Sequence, residues 1–391
     1  MNVDSGWLSL PFFEPQHRHV HEDAVRWLDA QPDIDQHEEG DYAARCRNFV
    51  RSLGPSGLLR YMIPEATDPK PQVDVRSIGI VREAFCYRSA LSDAAFVTQG
   101  LGASAIWQHG TDEQKRNYLA PMRDGSLIPA LALSEPEGGS DVAATRTTAR
   151  RDGGDFVIDG LKKWTSNAGI ADVYMVFART GEGPGTRGLS AFLVHADNPG
   201  LKVLDPIVVS APHPMASVAF ENCRVPASAR VGGGGEGFAL AMSTLDIFRP
   251  TVGAAALGLA RRALDETVRR TAERRLFGKY MAEMETVQMR LADMFADIET
   301  AALTVYRAAW AHDTGEGRRT TAEASLAKLI GTESAFRVID SAVQLFGGMG
   351  VTRGCIIEQL FRDIRAFRIY EGATEIQKLI LGRHVTRSLR R

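Results

Sequence analysis

No long apolar run interrupts this chain. Its opening residues, Met1-Asn2-Val3-Asp4-Ser5-Gly6-Trp7, put no basic segment ahead of an apolar one. A membrane span needs roughly 20 consecutive apolar residues, and a secretory leader needs a charged start before an apolar stretch. Neither is expected, and the reading is a cytoplasmic protein. Cysteine is scarce. Cys46, Cys86, Cys223 and Cys355 stand far apart, without C-x-x-C or zinc spacing, and read as reduced thiols in a reducing compartment. Charge of one sign is missing as well: the net charge of −2 gives no overall pull toward nucleic acid. No internal repeat is visible, and low complexity is confined to Gly232-Gly233-Gly234-Gly235.

What is present is ordinary globular material, 44% hydrophobic and 24% charged. At 391 residues the chain exceeds one core, so two or three domains are expected. Residues 1–125 read as a helical domain. Within it Thr111-Asp112-Glu113-Gln114 starts a helix, with Thr111 or Asp112 as the cap and acids in the first turn. Residues 126–240 change period. Val173–Phe177, Leu189–Val194 and Ala216–Phe220 are short strands bounded by Gly, Pro and Asn, and Asp159-Gly160 between apolar runs predicts a hairpin. This is a mostly antiparallel β domain. In residues 241–391, Leu257, Ala260, Leu264 and Val268 repeat at helical spacing. So do Leu291, Phe295, Ile298, Ala302, Val305 and Ala309. Long helices with one apolar stripe each predict an antiparallel bundle. The fold class is α+β.

Some motifs dissolve on inspection. Gly232 to Gly237 fits G-x-G-x-x-G formally, but a dinucleotide site needs a βαβ unit and only helices follow. A flexible strand-to-helix hinge is the better reading. His17, His19 and His21 alternate, yet no carboxylate or cysteine cluster completes a metal site. They read as a solvated helix start or loop, and no metal is expected.

Others hold together. Ile369-Tyr370-Glu371-Gly372-Ala373-Thr374-Glu375 sets a carboxylate between an aromatic residue and a glycine. Such a carboxylate is a base if apolar walls raise its pKa and the glycine admits a ligand to the backbone. Alone it would read as a cap or turn. Upstream lie Leu133-Ser134-Glu135-Pro136-Glu137-Gly138-Gly139-Ser140-Asp141, Lys163-Trp164-Thr165-Ser166-Asn167, Arg274-Arg275-Leu276-Phe277-Gly278-Lys279 and Gln344-Leu345-Phe346-Gly347-Gly348. In this order the five segments resemble the acyl-CoA dehydrogenase family of flavoproteins, from about Leu53 to about His384.

The resemblance implies an N-terminal helical domain, a middle β domain and a C-terminal four-helix bundle, with FAD as cofactor and an acyl-CoA thioester as substrate. Backbone groups of Leu131 and Leu133 and the Ser134 hydroxyl would hold the flavin pyrimidine edge. Gly139 lets the backbone close in, and Ser140 would lie near the pantetheine or the flavin phosphates. Trp164, which could otherwise be β core, would pack on the flavin ring, with Ser166 near N5. Arg274 and Phe277 would reach the flavin of a neighbouring subunit. The planar fork of Arg274 suits a pyrophosphate, although a solvated helix-end arginine is the plain alternative. Gln344, Gly347 and Gly348 would close on the adenosine side, also from a neighbour. Ala373 and Glu375 complete the cofactor set. Asp246, Arg249 and Gly372 would meet substrate, and Glu371 would be the catalytic base.

Three positions depart from the family pattern. Glu285 stands where many relatives carry glutamine near the adenine. Val208-Val209-Ser210-Ala211-Pro212-His213-Pro214 replaces the usual arginine and serine/threonine stretch, which leaves CoA contacts there open. Phe248 precedes Arg249 where long-chain and isovaleryl-type members carry their base. Phenylalanine cannot take a proton, so Glu371 is the remaining candidate.

The implied chemistry is α,β-dehydrogenation, with electrons passed on to an electron-transfer flavoprotein by a homotetramer, a dimer of dimers. An acyl-CoA oxidase using O₂ is the near rival; Glu371 argues against the related monooxygenases, which generally lack that base. A different class is nucleic-acid binding through the basic tail Arg383, His384, Arg387, Arg390 and Arg391. The same residues equally complement a helix dipole and remain solvated, so no nucleic-acid partner is expected. The bulk of Phe96, Val97 and Trp107, which would line the far end of an acyl pocket, points to a short, branched or cyclic acyl group.

Overall fold

Helix initiation follows local chemistry. In the computed structural model, which describes residues 5–31, 34, 40–69, 71–211 and 213–387, Thr111 caps its helix. Its hydroxyl accepts from the Gln114 backbone N–H at 3.2 Å, and the Gln114 side chain accepts from the Thr111 N–H at 3.0 Å. This reciprocal pairing satisfies two donors that the first turn leaves orphaned.

The chain order is α1 (Pro15–Asp29), α2 (Tyr42–Ser56), α3 (Val75–Arg88), α4 (Ala90–His109) and α5 (Asp112–Arg123), then a block of strands. These are β1 (Pro129–Ala132), β2 (Thr148–Asp152), β3 (Asp155–Ser166), β4 (Val173–Arg179), β5 (Leu189–His195), β6 (Leu201–Pro206), β7 (Met215–Pro226) and β8 (Arg230–Val231). The end is helical: α6 (Gly237–Glu273), the two-residue strands β9 (Arg275–Leu276) and β10 (Lys279–Tyr280), α7 (Glu285–Asp313), α8 (Thr321–Phe346), α9 (Ile356–Phe367) and α10 (Thr374–Arg387). By contacts the chain forms two compact units. One holds Met1–Glu39, Asp74–Asp93 and Asp246–Arg391; the other holds Gly40–Val73 and Ala94–Leu245.

The second unit is built on an eight-stranded sheet in the order β6-β7-β3-β2-β4-β5-β8, with β1 pairing parallel to β4. Most ladders are antiparallel, as expected. Strands β4 and β5 are buried along nearly their whole length, which explains their unbroken apolar runs. Asp159-Gly160 is not a hairpin. Strand β3 runs straight through it, with a register shift against β7 between Ile158 and Gly160. The pair serves a bulge: Asp159 Oδ1 accepts from the Asn222 N–H at 2.7 Å, and a Cβ at Gly160 would lie 2.5 Å from Thr147 Oγ1. The real β2–β3 turn is Gly153-Gly154, with Gly153 at φ 62°. The Gly232–Gly235 run is a tied turn between β8 and α6, not a loose hinge. The Gly233 N–H donates to Glu236 at 2.7 Å and the Gly235 N–H to Ser190 Oγ at 3.0 Å.

In the first unit α3 is buried on almost every side, polar residues included. Helix α9 shows a regular stripe, burying Ile357, Leu360, Ile364 and Phe367. Two sequence expectations need correction here. His17 and His21 are buried, not solvated: His17 Nε2 lies 2.8 Å from Asp74 Oδ2, and its Nδ1 accepts from the Glu14 N–H at 2.9 Å. Phe295 and Val268, read as core, are 58% and 48% exposed. All four cysteines are free, and Cys46, Cys86 and Cys223 are buried. Among the described residues no helix is long and apolar enough to cross a membrane.

Candidate functional site

The sheet unit gathers the segments around Ser134 and Trp164. Glu135 is an internal anchor. Its carboxylate accepts from Lys162 Nζ at 2.8 Å, Thr147 Oγ1 at 2.6 Å and the backbone N–H groups of Thr147 and Arg146 at 2.9 and 2.7 Å. Burial pushes this carboxyl up, but Lys162 and the other donors outweigh it and hold it at about 2. Burial pulls Lys162 down to about 8 against the same attraction. Lys162 also donates to the Leu133 carbonyl at 3.1 Å, and the Lys163 N–H donates to the Ser134 carbonyl at 2.9 Å. The first motif is thereby fastened to β3.

Beyond Glu135 the chain opens outward. Gly139 and Ser140 are exposed, and a Cβ added at Gly139 would meet nothing within 4 Å. No internal clash demands that glycine, and the open backbone there leaves room for a ligand. Leu131 lies on β1, half-buried like Leu133 and Ser134. Trp164 is not core: a second shift in the β3–β7 register, between Lys162 and Thr165, holds it 45% exposed at φ 56°. Its ring lies 4.9 Å from Lys163 Nζ. An exposed tryptophan held at a costly backbone angle in a sheet suits a flat aromatic ligand. Ser166 Oγ sits 3.1 Å from His213 Nε2, and His213 Nδ1 lies 3.0 Å from the Ala211 carbonyl. The carbonyl requires a proton on Nδ1, which makes Nε2 the acceptor of the Ser166 hydroxyl. Burial lowers the His213 pKa. Nothing in the sequence indicated this pair.

The helical unit holds the remaining candidates. Arg274 is exposed after α6 and precedes a two-residue hairpin in which Phe277 (φ 51°) and Gly278 (φ 81°) form the tip. Both tip angles are left-handed, as such a turn requires, and Phe277 projects 96% exposed. Arg274 shares an open cavity of about 370 Å³ with Glu266, Arg269, Arg270, Glu273 and Phe346. The Arg270 guanidinium stacks 5.0 Å from the Phe346 ring and its Nε has no partner. Arg269 is paired with Glu266 in this lining, which leaves Arg270 and Arg274 as the cations that could meet an anionic group. Gln344, Gly347 and Gly348, at the end of α8, are exposed beside it in sequence, and neither glycine would clash if given a Cβ.

Glu371 follows α9 in a turn where it takes φ 53° and Gly372 φ 99°. Its Oε2 is buried with no hydrogen-bond partner. Burial raises its pKa above the ordinary carboxylate range, opposed by Arg82, Lys328 and Arg249. Arg82 is itself engaged twice by Asp93, at 2.8 and 2.8 Å, and donates to Thr251 at 2.9 Å. Arg249 Nε donates to the Glu371 carbonyl at 3.1 Å. Asp246 lies 3.7 Å from Arg249 and accepts from Thr321 at 2.6 Å. Ala373 caps α10, its carbonyl accepting from the Ile376 and Gln377 N–H groups at 2.9 and 3.1 Å, and Glu375 is exposed in the first turn. Phe248 is buried. Lys328 and Gln377, which the sequence reading missed, both touch this turn. A lysine within the buried stripe of α8 was the available signal.

Family models for the acyl-CoA dehydrogenase N-terminal, middle and C-terminal domains match residues 14–126, 130–223 and 235–386. The mitochondrial short-chain specific acyl-CoA dehydrogenase of Rattus norvegicus is 36% identical over 345 residues, 87% of this chain and 83% of that protein. The chain belongs to the acyl-CoA dehydrogenase family. It is accordingly an enzyme, an oxidoreductase of a flavoprotein family. Among solved structures, butyryl-CoA dehydrogenase from Megasphaera elsdenii matches with TM-score 0.87 at 28% identity, covering 95% of this chain and 98% of that one. An acyl-CoA dehydrogenase complexed with FAD from Bacillus anthracis matches with TM-score 0.86 at 27% identity, covering 97% of this chain and 68% of that one. The family's fold is this fold: helices, sheet, helices.

Proposed function

We propose that this acyl-CoA dehydrogenase removes the α-proton of an acyl-CoA thioester with Glu371 and yields the trans-2-enoyl-CoA. One observation carries the reading: a carboxyl oxygen buried without a partner, in a left-handed turn, with its pKa raised. An internally satisfied carboxylate would have no reason to keep a free oxygen, whereas a base needs one.

Bound FAD would supply the acceptor for the β-hydride. The residues suit it: Leu131, Leu133, Ser134, Gly139, Ser140, Trp164 and Ser166 present open backbone, hydroxyls and an exposed indole in one unit. Arg274, Phe277, Gln344, Gly347, Gly348, Ala373 and Glu375 complete the proposed cofactor set. The exposed Phe277 tip and the arginine-lined cavity support a role across a subunit boundary, and hence the homotetramer. Asp246, Arg249, Ser140 and Gly372 serve the substrate. The Glu371 backbone N–H, which has no acceptor among the described residues, is free to receive the thioester oxygen as charge develops there.

We read the division at residues 125 and 240, the cytoplasmic location and an electron-transfer flavoprotein as electron acceptor as parts of the same proposal. The short-chain and butyryl-CoA enzymes among the relatives support a short acyl group. The experiment is anaerobic addition of a panel of short, branched and cyclic acyl-CoAs to purified protein with FAD, following loss of flavin absorbance. Bleaching by a short member is expected. A colourless protein that cannot be reconstituted with FAD, or a flavin that no acyl-CoA bleaches, refutes the proposal.

A further inference from the structure

Lys328 lies in none of the five motifs read from the sequence, yet it is completely buried in mid-α8. Its ammonium donates to the Gly372 carbonyl at 2.9 Å, and Gln377 Nε2 donates to the same oxygen at 2.8 Å. With Arg249 on the Glu371 carbonyl at 3.1 Å, two successive carbonyls are held by side chains from α6, α8 and α10. A non-glycine residue at positive φ persists only where its surroundings over-determine it, and these three donors do so for Glu371. Gln377 already gives Gly372 a neutral donor. Burying an ammonium costs far more than burying an amide, so the lysine must add something that a second amide would not. What it adds is charge facing the Glu371 carboxyl, whose Oε2 is buried without a partner.

We propose that Lys328 is a positioning residue for the Glu371 base: it fixes the left-handed turn through the Gly372 carbonyl, and its positive charge keeps the neighbouring carboxyl ionised. The inference rests on Glu371 being the base.

The other charged groups facing this pair are accounted for. Lys328 is faced by Glu371, by Arg249 from α6, by Glu333 of its own helix and by Arg368 after α9. Glu371 is faced by Arg82, Arg249 and Asp93, with Tyr370 beside it. Arg82 is committed to Asp93, Arg249 lies near Asp246, and Arg368 pairs with Glu333 at 2.9 Å. Lys328 makes no ion pair within 4.0 Å among the described residues, and the strongest of the charges facing it is that of Glu371. Burial pulls the Lys328 pKa down to about 8, and Glu371 opposes that fall.

The test is the pH profile of kcat/KM for a bleaching acyl-CoA, measured on the FAD-loaded enzyme and on Lys328→Met, Lys328→Gln and Lys328→Arg. Removing a positive charge raises the pKa of a nearby carboxyl, so the acid limb should move to higher pH by about one unit in both Met and Gln. Arg should return it toward its original place. If Gln keeps the original limb while Met does not, the lysine is only a hydrogen-bond donor and the charge argument is overturned. If Met and Gln both keep the original limb, the proposal fails entirely. Glu371→Gln, run alongside, separates the two levels: parent-rate turnover there defeats the base reading itself, whatever Lys328 does.

Discussion

Replacing Glu371 by Gln tests the chemistry with little disturbance to the fold. The carboxyl oxygen Oε2 has no partner to lose, and the turn is held through backbone carbonyls that the substitution leaves in place: Glu371 by Arg249, Gly372 by Lys328 and Gln377. The amide keeps the shape, so folding and FAD content should be unchanged. What disappears is the proton acceptor. A lost general base costs at least about a hundredfold, or about 2.7 kcal/mol of transition-state stabilisation at 1.36 kcal/mol per tenfold. The assay is anaerobic stopped-flow bleaching of the flavin at saturating acyl-CoA, with ligand binding followed separately as a perturbation of the flavin spectrum. Binding should persist while bleaching slows a hundredfold or more. A second variant, Phe248→Glu in the Glu371→Gln background, should recover part of the rate if a base on α6 reaches the α-carbon. If Glu371→Gln alone bleaches at the parent rate, the match to the family speaks for the fold and not for this mechanism.

Other predictions concern stability and assembly. Burial pushes the Asp363 carboxyl in α9 from 3.8 up to about 7, so its ionisation is disfavoured in the folded state. The stability it permits is fully present below its unfolded pKa near 4, and is lost as pH rises through about 7. The shift corresponds to at most about 4 kcal/mol. Asp363→Asn should therefore flatten the fall in Tm between about pH 4 and about pH 7, and an unchanged slope would refute the assignment. Asp93→Asn leaves the Arg82 guanidinium buried with its countercharge gone, and should cost about 3–5 kcal/mol in chemical denaturation; a loss below about 1 kcal/mol would show the pair to be dispensable. Phe277→Ser removes a fully projecting ring at a hairpin tip, and should lower FAD retention together with the oligomer mass seen by light scattering. A stable monomer that keeps its FAD would contradict the shared site.

Part of the fold was readable because its punctuation is local. The helix start at Thr111 needs only neighbouring residues; the left-handed hairpin tip at Phe277-Gly278 is equally local but was not expected from the sequence. Where a local signal misled, a distant partner had altered its meaning. Asp159-Gly160 has hairpin chemistry, but Asn222 and Thr147 use it to build a bulge inside one strand. His17 has helix-start chemistry, but Asp74 draws it into the interior. Phe295 fits the spacing of the α7 stripe and still faces outward, because periodicity gives a helix's apolar positions without saying which neighbour covers each one.

The candidate site divides along the same line. A glycine with open space around it, as at Gly139 or Gly348, leaves a mark in sequence that no packing within the chain explains. The electrostatics of Glu371 leave no such mark. Its sequence neighbours Tyr370 and Gly372 suggest a shielded, accessible carboxylate, but the cations that set its charge are Arg82 on α3, Arg249 on α6 and Lys328 on α8. Each reads in its own segment as an ordinary helix residue. Only folding makes Arg82 a paired structural cation, Arg249 a holder of the Glu371 carbonyl, and Lys328 a buried charge whose direct partner is a backbone oxygen. A base is identified by its residue type, but its strength belongs to the helices that close around it.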